Sequence, residues 1–158
     1  MHEAQSADHT VMDVGGENYR SSDLFWLKHN DMSARWVFDR LRDFVVDWNA
    51  KTYAFEIEEC SDLQLTHYKV GQHYDWHADL GHSLYSRRKI SLAVMLSEPA
   101  SHEGGHLEFF SSDTRRPRPI VKQGDVVVFP AWMKHRVTPV TRGERWSLIG
   151  WWSGPPFR

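Results

Sequence analysis

A chain of 158 residues and 18.5 kDa has room for one domain, whose core at that size buries roughly two-thirds of the unfolded surface. Hydrophobic residues at 41% and charged residues at 25% exclude an intrinsically disordered chain, and a net charge of −2 argues against a broad nucleic-acid surface. No apolar run approaches the roughly 18 residues of a spanning helix, the polar start from Met1 to Asp8 predicts no secretory signal, and a single cysteine, Cys60, excludes an internal disulfide and a thiolate metal cluster. These features predict a cytoplasmic protein without a membrane partner.

Residues 1–18 are polar, contain Gly15-Gly16 and show no hydrophobic period, so a flexible N-terminal arm is expected ahead of a single domain at 19–158. Over 31–48 the apolar residues Val37, Leu41, Phe44, Val45 and Trp48 fall at the spacing of one helix face, with Asn30, Asp31 and Ser33 as candidate caps. After Asn49 the pattern changes to short aromatic and β-branched segments separated by Gly, Pro, Asn and Asp. They lie at 53–57, 63–68, 73–77, 90–96, 106–110, 119–121, 126–129, 136–140 and 145–152. One helix followed by many short strands predicts a mainly β domain, an antiparallel sandwich or barrel. Lys122-Gln123-Gly124-Asp125 and Thr141-Arg142-Gly143-Glu144 read as hairpin connections.

Tyr74-Asp75-Trp76-His77-Ala78-Asp79 carries the first chemical signal. Side chains at i and i+2 share a strand face, so His77 and Asp79 point together and can hold two positions of one divalent metal. With a third ligand from a distant strand they would form the two-histidine, one-carboxylate facial triad, which leaves coordination sites open and suits non-haem Fe(II). His135, after the strand ending Val128-Phe129-Pro130, is the best third ligand. Such pairs also arise by chance in a chain with ten histidines, and the residues after His135 are what add weight.

Arg145 and Ser147 share a strand face, and the Arg142-Gly143 turn is expected to return their strand beside the one following His135. An arginine directed into a barrel needs an anion, because a buried unpaired guanidinium is prohibitively costly. Its fork suits a carboxylate, and Ser147 can add a further hydrogen bond. Metal and arginine in one cavity suit a ligand with a chelating end and a carboxylate end, and 2-oxoglutarate has both. The competing explanation is an internal ion pair of Arg145 with Glu108 or Glu144.

Other pairings are weaker. His73 and His77 lack the HExxH order of a helical zinc protease, His102 and His106 flank Gly104-Gly105 in an expected loop, and His2, His9, His29 and His67 have no evident partner. No Gly-x-Ser-x-Gly elbow supports a serine hydrolase. Strand alternation turns Trp76 and Trp146 away from the metal face into packing, whereas Trp132 is a candidate for the border of a substrate entrance. Arg115, Arg116 and Arg118, interleaved with prolines, read as a solvated loop.

Taken in order, these residues resemble the Fe(II)/2-oxoglutarate-dependent dioxygenases, and within them the prolyl 4-hydroxylase-like branch. The resemblance runs from about Arg20 to the end. It comprises Arg20-Ser21-Ser22 before Trp26-Leu27, then the stretch from Leu63 through Tyr68, Gly71-Gln72 and Tyr74 to His77-Ala78-Asp79. Arg88-Lys89-Ile90-Ser91-Leu92, Glu103-Gly104-Gly105-His106-Leu107, Gly124-Asp125 and Phe129-Pro130 follow. His135-Arg136-Val137-Thr138-Pro139-Val140 and Gly143-Glu144-Arg145-Trp146-Ser147 close the pattern.

The resemblance implies a double-stranded β-helix (jelly-roll) with at least one N-terminal helix packed outside. It implies Fe(II) held by His77, Asp79 and His135, with 2-oxoglutarate bound by Arg145 through its 5-carboxylate. Ser147 would assist, and Tyr68 matches a tyrosine that can hydrogen-bond to the co-substrate. O2 would be the oxidant and ascorbate a candidate accessory reductant. Because Asp79 is retained where related halogenases carry a small residue, hydroxylation is implied, with succinate and CO2 as products. A prolyl residue in a peptide or protein is the first expectation for the substrate. A free amino acid or another peptidyl side chain comes next, then an AlkB-type nucleic-acid demethylase, then a non-catalytic cupin-like metal-binding module. Met95 stands where many relatives carry a tyrosine that contacts the co-substrate, and His106 where glutamate often follows the double glycine. The chain also begins late relative to many relatives, which predicts a missing or shortened amino-terminal helix or strand.

Overall fold

The computed structural model describes residues 8–14, 17–110 and 122–157. Its elements, in chain order, are β1 (Asp8–Val14), β2 (Glu17–Leu27), helix α1 (Arg35–Lys51), β3 (Glu59–Cys60), β4 (Leu63–Tyr68), β5 (His73–His77) and β6 (Arg88–Met95). β7 (His102–Gly104), β8 (Leu107–Phe109), β9 (Val126–Pro130), β10 (His135–Val137), β11 (Val140–Gly143) and β12 (Arg145–Ser153) follow. Ten strands form one sheet with the order β8-β10-β5-β2-β4-β12-β6-β9, to which β1 adds beside β2 and β3 beside β12. Every strand pair within it is antiparallel, and β11 and β7 form a separate two-stranded sheet. The sheet curls into the half-barrel of the expected jelly-roll, with the helix outside.

The period-two alternation of β4, β6 and β12 decides what lies on each face. Leu63, Ile90, Leu92, Leu148 and Trp152 turn outward and form a core with Ala34, Phe38, Leu41 and Val45 of the helix region. The buried helix positions Phe38, Leu41, Val45 and Asn49 recur every three or four residues, so one stripe faces the sheet. The stripe is rotated from the expected face: Val37 and Trp48 are only partly buried and Phe44 is exposed. The cap expectation also differs. Ala34 occupies the N-cap without a side-chain bond, while Asp31 Oδ1 closes the preceding turn by accepting from Ser33 N and Oγ at 2.9 and 2.7 Å.

Three further expectations are corrected. Asp8–Val14 is not a loose arm but a strand paired with β2, because main-chain pairing needs no hydrophobic period; residues 1–7 and Gly15-Gly16 lie outside the described residues. Residues 53–57 form no strand. The buried Asn49 side chain claims both polar groups of Phe55, donating Nδ2–H to its O at 2.9 Å and accepting from its N at 3.0 Å, and Ala54 adopts φ 50°. Finally, β12 does not run beside β10: it pairs with β4 and β6, while β10 pairs with β5 and β8. The turn at 122–125 forms as expected, with Asp125 N donating to Lys122 O at 3.0 Å and Gly124 at φ 86°, although the segment at 119–121 and Arg115, Arg116 and Arg118 lie outside the described residues.

Leu63 is fully buried at the centre of the helix–sheet core. Leu63→Ala is expected to lower unfolding stability by about 2–5 kcal/mol through lost burial and a residual cavity, read from the midpoint of a urea titration.

Candidate active site

His77 closes β5 and His135 opens β10, and the two are direct cross-strand partners. Their ring centroids lie 4.1 Å apart. Asp79 lies just past the end of β5, where its N–H donates to Ala131 O at 2.9 Å and so ties it to the chain leaving β9. One ligand atom from each of His77, Asp79 and His135 falls within 4.8 Å of the others. Asp79 Oδ1 is 3.7 Å from His77 Nε2, and its Oδ2 is 3.7 Å from His135 Nε2.

The hydrogen bonds around these residues turn their ligand atoms toward one shared point. His77 Nδ1 bonds Asp75 O at 2.7 Å and His135 Nδ1 bonds Met133 O at 2.9 Å. A carbonyl only accepts, so Nδ1 must carry the proton in both rings and both Nε2 lone pairs face the shared point. Ser91 Oγ donates to Asp79 Oδ2 at 2.6 Å, orienting the carboxylate from β6. One face of the His77 ring is stacked at 3.5 Å on Tyr74, which a register shift in the β5–β10 pair places on the same side. Two imidazoles and one carboxylate, with no fourth His, Cys, Asp or Glu joining the cluster among the described residues, suit an ion such as Fe(II) that keeps open coordination positions.

Across a cavity of about 380 Å³ stands Arg145, 2% exposed. Its Nη1 donates to Ser147 Oγ at 3.0 Å and its guanidinium lies 5.6 Å from the Tyr68 ring centre. Its Nε has no hydrogen-bond partner among the described residues. Both candidate internal partners are engaged elsewhere: Glu108 pairs with Arg136 at 2.8 Å and Glu144 with His67 at 2.9 Å. Burial pushes the Tyr68 hydroxyl above its usual range, keeping it a proton donor at neutral pH. Gly105 explains part of the double-glycine motif: it has φ 61°, and a Cβ there would lie 2.8 Å from Arg145 Cδ.

The structure therefore brings His77, Asp79, His135, Arg145, Ser147 and Tyr68 to one cavity. Met95 is buried but does not line it, and His106 is exposed, its main-chain N–H bonded to Thr138 Oγ1. Trp76 and Trp146 point away as alternation requires, Trp146 stacking on His67 at 3.9 Å. Trp132 packs against Phe55 and Phe157 rather than bordering this cavity. Sequence reasoning assigned no role to Arg20, Tyr74, Arg88 or Trp151, all of which line the cavity, nor to Ser91, which holds Asp79. Period-two spacing from Arg145 to Trp151 was the available signal for the last of the four.

Residues 63–153 match the family model of the 2OG-Fe(II) oxygenase superfamily, covering every candidate ligand. A PKHD-type hydroxylase of Synechococcus sp. strain CC9605 is 34% identical over 97 residues, 60% of this chain and 43% of that protein. A PKHD-type hydroxylase of Janthinobacterium sp. strain Marseille is 36% identical over 91 residues, 53% of this chain and 39% of that protein, so this chain spans under half the length of these relatives. The fold is that of a Pseudomonas putida prolyl-4-hydroxylase, with a TM-score of 0.73 and 24% identity over 88% of this chain and 75% of that one. A Trichoplax adhaerens prolyl hydroxylase bound to a hypoxia-inducible-factor peptide fragment gives a TM-score of 0.74 and 14% identity over 93% and 70%.

Asp79→Ala is expected to abolish Fe(II) binding in equilibrium dialysis, while Ser91→Ala weakens it by about tenfold through loss of carboxylate orientation. Burial, reinforced by the neighbouring His135 imidazole, pushes the His77 imidazole down to about 4, against an ordinary value of 6.5. In the metal-free protein the unfolded chain takes up this proton first. That component of stability is complete above about pH 6.5 and is lost as pH falls toward about 4. The urea midpoint should decline over that window and decline less in His77→Gln; equal pH dependence in both proteins would contradict the assignment. With the metal cluster, the facing arginine and the family match on one sheet, the chain belongs to the 2OG-Fe(II) oxygenase superfamily and has the fold of its prolyl hydroxylases.

Proposed function

We propose that this protein is an Fe(II)- and 2-oxoglutarate-dependent hydroxylase acting on a prolyl residue in a peptide or protein. The observation that carries the reading is a His–Asp–His cluster sharing a cavity with a buried arginine that has no carboxylate partner among the described residues. His77, Asp79 and His135 would hold the iron. Arg145, with Ser147 beside it, would take the distal carboxylate of 2-oxoglutarate through charge-assisted bonds, and Tyr68 Oη–H would donate to the same molecule. Bound Fe(II) supplies, with O2, oxidative decarboxylation of 2-oxoglutarate to succinate and CO2 coupled to hydroxylation of a C–H bond.

The chain's own contribution is positional. The Nδ1–H bonds to Asp75 and Met133 keep both imidazoles turned with Nε2 inward, and Ser91 holds Asp79 as the third ligand. Retention of this carboxylate favours hydroxylation over halogenation. Leu24, Leu107, Phe129 and Val137 give the cavity an apolar wall that would limit water at the reacting centre. Structural neighbours that are prolyl hydroxylases, one of them bound to a peptide, support a peptidyl-proline as substrate.

Arg145→Met is expected to weaken 2-oxoglutarate binding by at least about tenfold, the cost of losing charged hydrogen bonds in a buried site, without loss of Fe(II). Anaerobic titration of the visible band of the iron chelate measures both. Aerobic incubation with proline-containing peptides should then yield succinate and a peptide heavier by one oxygen at proline. Folded, iron-loaded protein that forms no succinate would overturn the reading.

A further inference from the structure

The cavity holds more positive charge than this chemistry uses. Arg20 and Arg88 line it together with Arg145, and among the described residues its only carboxylate is Asp79. Fe(II) and Arg145 are matched in charge by Asp79 and the two carboxylates of 2-oxoglutarate, so the charges of Arg20 and Arg88 are left over. Among the described residues neither is compensated by a carboxylate contact. Arg20, 7% exposed, donates from Nε to Ser22 Oγ at 3.0 Å and lies 4.4 Å over the Tyr74 ring. Arg88 lies 3.9 Å over Trp151 and 4.5 Å over Tyr85, and its Nη1 reaches only the main-chain O of Asp79, at 3.5 Å. Stacking occupies the faces of a guanidinium and leaves its in-plane N–H fork free, the edge that recognises a carboxylate. Two such forks, one buried at Arg20 and one half-buried at Arg88, are costly without anions to meet them.

We propose that the substrate taken at this centre brings its own carboxylates, which Arg88 receives beside Tyr85 and Trp151 and Arg20 receives beside Tyr74. The residue hydroxylated then lies in an acidic sequence or belongs to a small anionic amino acid. The inference rests on the hydroxylase reading above and narrows its substrate class.

The test uses the full chain loaded anaerobically with Fe(II) and 2-oxoglutarate, and a fluorescein-labelled peptide in which proline is flanked by aspartate and glutamate. Its isostere with asparagine and glutamine is the comparison, and anisotropy is the readout. The acidic peptide should bind at least about tenfold more tightly at low salt, as charge-assisted bonds to buried guanidinium groups require, and the preference should shrink as salt is raised. Arg88→Gln should reduce the preference to about threefold or less, and Arg88→Lys should restore part of it. Arg20→Gln should act in the same direction, with thermal melts checking its fold; the half-buried Arg88 carries the test if that variant is unstable. Arg35→Gln, exposed on α1, should change nothing. Displacement of the acidic peptide by free glutamate would assign the carboxylates to a small amino acid, and resistance to it would assign them to a peptide. Equal affinity for both peptides with no effect of free glutamate or aspartate, in protein that still binds 2-oxoglutarate through Arg145, would overturn this inference and leave the hydroxylase reading standing. Absence of 2-oxoglutarate binding would overturn that reading itself.

Discussion

The antiparallel register that sets His135 directly opposite His77 is the constraint on which the rest of the site depends. These residues come from distant parts of the chain, and cross-strand pairing is what holds their rings at ligand distance. A shift of one residue in β10 would turn His135 to the opposite face and put Arg136 in its place. Arg136 is held where it is by the buried Glu108, its cross-strand partner on β8, and that partly buried charge pair resists the slip. Register here places an ion pair on one face and the His–Asp–His cluster on the other.

The same sheet carries two different interiors. Outward-facing Leu63, Ile90, Leu92, Leu148 and Trp152 pack against α1, and burying this apolar surface supplies the main stabilisation of the fold. The inward face, drawn from the alternate positions of the same strands, is polar: Gln64, Thr66, Arg145 and Ser147 are buried there alongside Tyr68. Such a face is expensive to desolvate unless its groups are satisfied. Gln64 and Thr66 satisfy each other at 2.8 Å, and Arg145 has Ser147. The remaining unmet donor capacity, most plainly Arg145 Nε, lies in the concave wall where a ligand can meet it.

Rigidity at the metal cluster is built from main-chain contacts as much as from side chains. Ala131 O accepts from both Asp79 N and Leu80 N, and Ala131 N donates to Lys89 O. One residue thus ties the Asp79 loop to β6, the strand that also delivers Ser91. The carboxylate ligand is therefore fixed from two directions. Around Arg145 the contribution is the opposite, an absence of atoms: Gly105 leaves room for the arginine stem, and its positive φ lets the chain turn close beside it.

Much of the site was legible in the amino-acid sequence because strand alternation is a local property of the backbone. The pairs His77/Asp79 and Arg145/Ser147 were readable at i and i+2, and the helical stripe was readable in period though rotated in phase. The local pattern could not show which strands would be neighbours. Turn chemistry suggested that β12 lies beside β10, whereas it pairs with β4 and β6, and Arg145 meets the histidines by facing them across the curl of the sheet. Nor could polarity reveal that Asp8–Val14 would join β2 through main-chain bonds, or that Asn49 would take the hydrogen bonds of 53–57. Arg20 and Arg88 read as ordinary charged residues until the sheet curled over them. The sequence by itself determined which side chains share a face and what chemistry they can do. Only the tertiary structure decided which faces meet and which charges are left unpaired, because register and burial depend on contacts between residues far apart in the chain.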